Sequence, residues 1–129
     1  MKYLSDYVQE SQTQLFKEMG VIFAFSNKQF EEQRNHDVIY VHAGAGTLVP
    51  KENYKPFICA LDAIIAKGIE QDIEENGKQA IISRELYNYE CFYTGDIQDC
   101  VDALEDYGIT KSEIAEQYHH ILANVDAIE

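Results

Sequence analysis

The chain of 129 residues has no tryptophan, two prolines and three cysteines. Cys59, Cys91 and Cys100 are odd in number and have no CxxC spacing. They read as free thiols that serve packing in a reducing cytoplasm, not as a disulfide framework or zinc ribbon. No apolar run approaches the roughly 18 residues of a membrane span. Met1 to Tyr7 holds Lys2 and Asp6 with no apolar stretch behind, so neither a signal peptide nor a membrane role is expected. Gly-Lys-Ser/Thr, GxSxG and HExxH are all missing, and with them the P-loop, the serine-nucleophile elbow and the helical zinc-protease site.

Basic residues are scarce as well, 10 Lys+Arg against 23 Asp+Glu for a net charge of -13. The deficit is segregated. Residues 1–61 carry 7 acids and 6 basic residues, whereas residues 62–129 carry 16 and 4. From Glu85 to Asp106 there are seven acids (Glu85, Glu90, Asp96, Asp99, Asp102, Glu105 and Asp106) and no Lys or Arg. A field of one sign repels nucleic acid and anionic membrane and draws basic partners. Direct binding of DNA or RNA is therefore not expected. Binding needs cations that displace phosphate counterions, and the second half offers only Lys67, Lys78, Arg84 and Lys111.

A length of 129 residues with 46% hydrophobic composition suits one core, and a single domain over 1–129 is expected. Leu4, Val8, Leu15 and Phe16 predict an amphipathic first helix closed by Gly20, and Val21 to Phe25 a short buried strand. Ser26 is placed to cap a short helix through Phe30 to Gln33. Val38, Tyr40 and His42 alternate with Ile39 and Val41 as in a strand, and Gly44-Ala45-Gly46 turns the chain into Thr47 to Val49, where Pro50 ends the sheet. Asn53 is a candidate cap for a long helix with Phe57, Leu61, Ile64, Ile65, Gly68, Ile69 and Ile73 inward, Cys59 lying on the same apolar pattern.

Gly77 either ends that helix or is tolerated within it at about 1 kcal/mol, since Ala80, Ile81, Arg84, Leu86 and Tyr89 continue a helical pattern. Asp96 is placed to cap a helix with Ile97, Cys100, Val101 and Leu104 inward, closed by Gly108. Thr110 with Glu113 forms a capping box for a last helix carrying Ile114, Tyr118, Ile121, Leu122 and Val125. The fold class is α+β: a small three-stranded sheet packed against several helices, with a helical carboxy-terminal half.

Catalytic readings find little support. Gly44-Ala45-Gly46 lacks a third glycine and a helix directly behind it, so it forms no phosphate cradle. Asp96, Asp99 and Asp102 have the wrong spacing for a calcium loop. Adjacent His119 and His120 diverge around a helix, and Glu85, Glu90 and His42 are among the candidates for a metal site if folding brings them together. Cys91 and Cys100 stand among acids that oppose a thiolate. No catalytic residue, metal or cofactor is assigned.

The ordered set LSDYV, AFSNKQFEEQ, GAG and PKEN, IEQDIEENGK, RELYNYEC, TGDIQD and LEDYGIT resembles, over nearly the whole chain, a family of small acidic proteins of unknown function in phages and their bacterial hosts. The resemblance implies a setting and not a chemistry, because that family has no assigned activity from which site residues carry over. The expected function is a non-enzymatic binding protein of the cytoplasm, or of the host cytoplasm if phage-encoded. Glu85, Glu90, Asp96, Asp99, Asp102, Glu105 and Asp106 would engage a basic host protein, such as a nucleic-acid-binding one, for example to inhibit host defence. Two alternatives stand beside it, a structural or regulatory protein that self-associates and a small enzyme or metal-binding protein with an unrecognised carboxylate site.

Overall fold

A computed structural model describes the backbone of residues 1–128 and the side chains of residues 1–124. The side chain of Val125 thus lies outside the described residues. The chain separates into two compact units, Met1–Gly68 and Ile69–Glu129.

The first unit opens with α1 (Leu4–Met19), whose first turn is fastened where Asp6 Oδ2 accepts the Tyr3 N–H at 2.9 Å. Gly20 ends the helix at φ 68, a left-handed conformation that glycine takes without a Cβ penalty. Helix α1 contributes Leu15 to a core with Val49 and Phe57, around which Phe16, Met19, Val21, Leu61 and Ile64 pack. Rings of Phe16 and Phe57 lie 6.0 Å apart by centroid. Burying a side chain such as Phe57 is worth about 1.5–3 kcal/mol.

Three antiparallel strands, β1 (Ile22–Phe23), β2 (Tyr40–His42) and β3 (Thr47–Pro50), form a sheet in the order β1-β3-β2. Leu48 stands opposite Ile22 in β1, and Val49 opposite Val41 in β2. The expected buried strand from Val21 to Phe25 is shorter and more open: only Ile22 and Phe23 pair, and Phe25 is 77% exposed. The chain leaves the ladder early because it must enter α2 (Asn27–Gln33), where Ser26 Oγ caps the Gln29 N–H at 3.2 Å.

Pro50 belongs to β3 instead of ending the sheet before it. Bonds to β2 are carried by its neighbours, as in Lys51 N–H to the Ile39 carbonyl at 2.8 Å, so the donor that proline lacks is not needed there.

The long helix α3 (Tyr54–Asn76) follows one 3-10 turn over Lys51–Asn53. Asn53 does not cap it by its side chain; Asn53 Nδ2 donates to the Met19 carbonyl at 2.9 Å and so closes the end of α1. Cys59 is exposed and not in the core, since it lies about 200° around the helix from Phe57. Gly68 meets α1, and a Cβ there would run into Cγ1 of Val8.

In the second unit α3 stops at Asn76, and Gly77 at φ 80 leads into α4 (Lys78–Asn88). A one-turn helix α5 (Cys91–Thr94), α6 (Gln98–Ala103), a 3-10 turn over Glu105–Tyr107 and α7 (Lys111–Ile128) complete it. Ile81, Leu86, Cys91, Cys100, Leu104 and Ile114 are fully buried. Thr110 and Glu113 cap α7 reciprocally, each backbone N–H lying 3.2 Å from the other's side-chain oxygen. Seven helices with a small antiparallel sheet, among the described residues, make an α+β fold.

Candidate functional site

Among the described residues the charged side chains of the second unit include a buried set and an exposed set. Asp72, Arg84 and Glu85 are buried. Asp72 sits one helical turn beyond Gly68 and Ile69, on the inward stripe of α3, and Arg84 lies among Ile81, Ile82 and Leu86 on α4. Arg84 Nη1 and Nη2 donate to Oδ1 and Oδ2 of Asp72, each at 2.9 Å, a bidentate fork. Tyr107 Oη donates to Asp72 Oδ2 at 2.5 Å and Asn76 Nδ2 to Oδ1 at 2.8 Å, so each carboxylate oxygen accepts two bonds. Arg84 Nε turns the other way to Oε1 of Glu85 at 2.8 Å, and Asn88 Nδ2 lies 3.3 Å from Oε2.

The electrostatics follow from this geometry. Burial would push the Asp72 carboxyl up, but hydrogen bonds from Arg84, Tyr107 and Asn76 outweigh it and hold the group below the ordinary carboxylate range. Burial opposes the Arg84 cation, and the bonds to Asp72 and Glu85 override it and raise the group further. Burial, then the bond to Asp72, raises the Tyr107 phenol above its usual value. All three keep their ordinary forms at neutral pH. With Asp72 0% exposed and its oxygens filled, the cluster offers no face to a substrate and serves to fix α3, α4 and the Tyr107 turn.

Sequence reasoning placed Arg84 in a helical pattern but missed the network. Its visible signal is one charge of each sign at apolar spacing on two successive helices.

The predicted site residues are only partly brought together. Glu85 is buried against Arg84 and does not join the exposed acids. Glu90, Asp96, Asp99, Asp102, Glu105 and Asp106 are exposed. Asp99 and Asp102 ride on α6 with Cys100 turned inward, and Glu105 and Asp106 occupy the turn between buried Leu104 and Tyr107. Asp96 Oδ1 accepts the Gln98 N–H and Asp102 Oδ1 the Gln98 amide, each at 2.9 Å. Among the described residues none of the six forms an ion pair. Glu90 is held at φ 54, a left-handed conformation that costs a non-glycine residue about 1–2 kcal/mol.

Aromatic rings punctuate the same stretch. Tyr93 is 91% exposed and Tyr87 60%. Phe92 stacks on Tyr118 at 5.1 Å with an interplanar angle of 9° and packs on Tyr87 at 4.9 Å. Burial, followed by the charges of Glu85 and Asp99, raises the Tyr89 phenol.

Burial, then the neighbouring Cys91 and Glu85, pushes the Cys100 thiol up to about 12, and burial with Asp99 and Asp96 raises Cys91. Among the described residues no group of three or more His, Cys, Asp or Glu side chains could hold a metal ion. Of the carboxylate and imidazole candidates, Glu85 accepts from Arg84 Nε and His42 lies on β2. No helix is long and apolar enough to cross a membrane among the described residues.

Fold and surface together define a small α+β protein with an acidic, tyrosine-bearing helical unit. The chain belongs to a family of unknown function, DUF7659, whose model matches residues 4–127. No curated protein and no solved structure matches it.

Proposed function

We propose that the chain is a non-enzymatic binding protein whose second unit engages a basic protein surface. The observation that carries this reading is a run, from Glu85 to Thr110, without a single Lys or Arg, whose six exposed acids form no ion pair among the described residues. Arg84, the cation that precedes the run, is turned inward to Asp72 and Glu85. Unpaired carboxylates raise on-rates and select partners of opposite sign, and exposed Tyr87, Tyr89 and Tyr93 add the amphipathic rings common at protein interfaces. A partner surface that ordinarily holds nucleic acid suits such a field. A phage-encoded inhibitor of a host-defence protein, acting in the host cytoplasm, is the setting we favour.

The test is affinity capture from a bacterial lysate at low and high salt, with the native chain and with Asp99→Asn, Asp102→Asn, Glu105→Gln and Asp106→Asn combined. A specific basic partner should be retained at low salt and released at high salt. The neutralised chain should lose it while melting at the same or a higher temperature, because mutual repulsion is relieved. Equal capture by both chains would remove this face from consideration, and a tight gel shift of random duplex DNA would overturn the charge argument beneath it.

A further inference from the structure

The two edges of the sheet in the first unit are finished differently. At β1 the helix α2 closes the edge: Gln33 Nε2 donates to the Phe23 carbonyl and Gln29 Oε1 accepts the Phe25 N–H, each at 2.8 Å. At β2 nothing of the kind occurs among the described residues. The bonds from Ala43 N–H to the Thr47 carbonyl and from Lys51 N–H to the Ile39 carbonyl set the ladder's phase, so Val41 pairs inward with Val49 while the N–H and C=O groups of Tyr40 and His42 point away from β3.

Natural sheets protect such an edge with lysine, proline or a bulge. Residues 38–43, Val-Ile-Tyr-Val-His-Ala, contain no charge and no proline, and Ile39 is 71% exposed.

We propose that β2 is a dimerisation edge that pairs antiparallel with β2 of a second copy, about a two-fold axis at Val41. The strand is complementary to itself in that register. Tyr40 and His42 of one copy exchange both backbone bonds with His42 and Tyr40 of the other, the two Val41 side chains face each other, and Ile39 lies opposite Ala43. No pair in this register sets Asp, Glu, Lys or Arg residues of like charge opposite one another, an arrangement that would be destabilising.

Charge selects the same occupant. The first unit holds eight acids against seven basic residues, net -1, whereas residues 69–129 hold fifteen against three, net -12. Self-association is therefore least opposed by repulsion at the first unit. On the face bearing Tyr40 and His42, a pocket of about 350 Å³ shared with Phe25, Phe30 and Leu48 borders the edge. The proposal is independent of the acidic surface on the second unit.

Sedimentation velocity of the full chain from low micromolar to several hundred micromolar tests it. The mass should rise from the 14.8 kDa monomer toward twice that value. Ile39→Lys, which adds the missing edge charge, and His42→Pro, which removes an outward donor, should each weaken the dimer at least about tenfold with an unchanged far-UV circular dichroism spectrum. Hydrogen exchange on the native chain reads the same edge without a variant: the amides of Tyr40 and His42 should gain protection as concentration rises. A chain that stays monomeric throughout, leaving the edge to a foreign strand, would overturn the proposal. So would a dimer in which those two amides exchange as fast as in the monomer, or one indifferent to both substitutions.

Discussion

Arg84 grips Asp72 through both terminal nitrogens at 2.9 Å, and the two residues are 12 positions apart on successive helices. Removing one partner of a buried pair strands the other charge, at a cost of about 3–5 kcal/mol. Arg84→Met should therefore lower the urea midpoint sharply. Asp72→Asn combined with Arg84→Met should cost less than the sum of the two single changes. A midpoint for Arg84→Met close to that of the native chain would show that the pair is structurally incidental.

The direction of the Asp72 shift sets an acid limb of stability. A carboxyl held below its unfolded value stabilises the fold fully above about pH 3.9, and that contribution is lost as pH falls through the depressed folded value. Protonation of the exposed acids relieves repulsion and acts in the opposite sense. Asp72→Asn is the reference that separates the two effects, and the gap in urea stability between native and variant chains should narrow below about pH 4. A gap constant down to pH 2 would contradict the assignment.

Tyr107 supplies the alkaline counterpart. Its raised phenol favours the protonated folded state, so the contribution is complete below about pH 10 and declines as pH rises beyond it. Relative to the native chain, Tyr107→Phe should be less stable at neutral pH and should close that gap at high pH. Persistence of the full gap well above pH 10 would place the phenol outside the network.

Thiol labelling distinguishes the three cysteines. Cys59 is exposed, whereas Cys91 and Cys100 are buried with raised thiols. An aromatic disulfide reagent at pH 8 should titrate one thiol quickly in the native chain and the other two only after denaturation. Fast reaction of a second thiol would mean that the interior of the second unit opens readily.

Gly68→Ala tests the close approach of α1 to α3. The added methyl meets Cγ1 of Val8, and overpacking of this kind costs about 1–3 kcal/mol. Val8→Ala in the same chain should recover part of the loss. No loss in the single variant would mean that α1 shifts freely.

What the sequence disclosed here follows the range over which each residue acts. Gly20, Ser26, Gly44-Ala45-Gly46 and the Thr110–Glu113 box work within about four positions, so their roles were readable from neighbours alone. Gly77 allowed two readings because a glycine inside a helical pattern signals nothing until its φ of 80 is known. Cys59 was misjudged because apolar residues around it continue past one face. Glu85 looked like one more exposed acid, and its burial depends on Arg84 beside it. The hydrogen bond from Tyr107 spans 35 positions, and no local pattern announces a partner that far away. The α+β class was legible in the hydrophobic periodicities, and membership of a family of unknown function in the ordered segments.

The Gly77 break also bears on the order in which contacts are expected to form. It folds the end of α3 back toward α4, so Arg84 reaches Asp72 by closing a short loop, while Tyr107 must close one nearly three times as long. Closure entropy grows with loop length and contacts near in sequence form faster. The ion pair is therefore expected to form in an early helical hairpin, with the bond from the phenol following. Folding kinetics would show this as a high φ-value for conservative changes at Arg84 and a low one for Tyr107→Phe, with the reverse ranking ruling the sequence of events out.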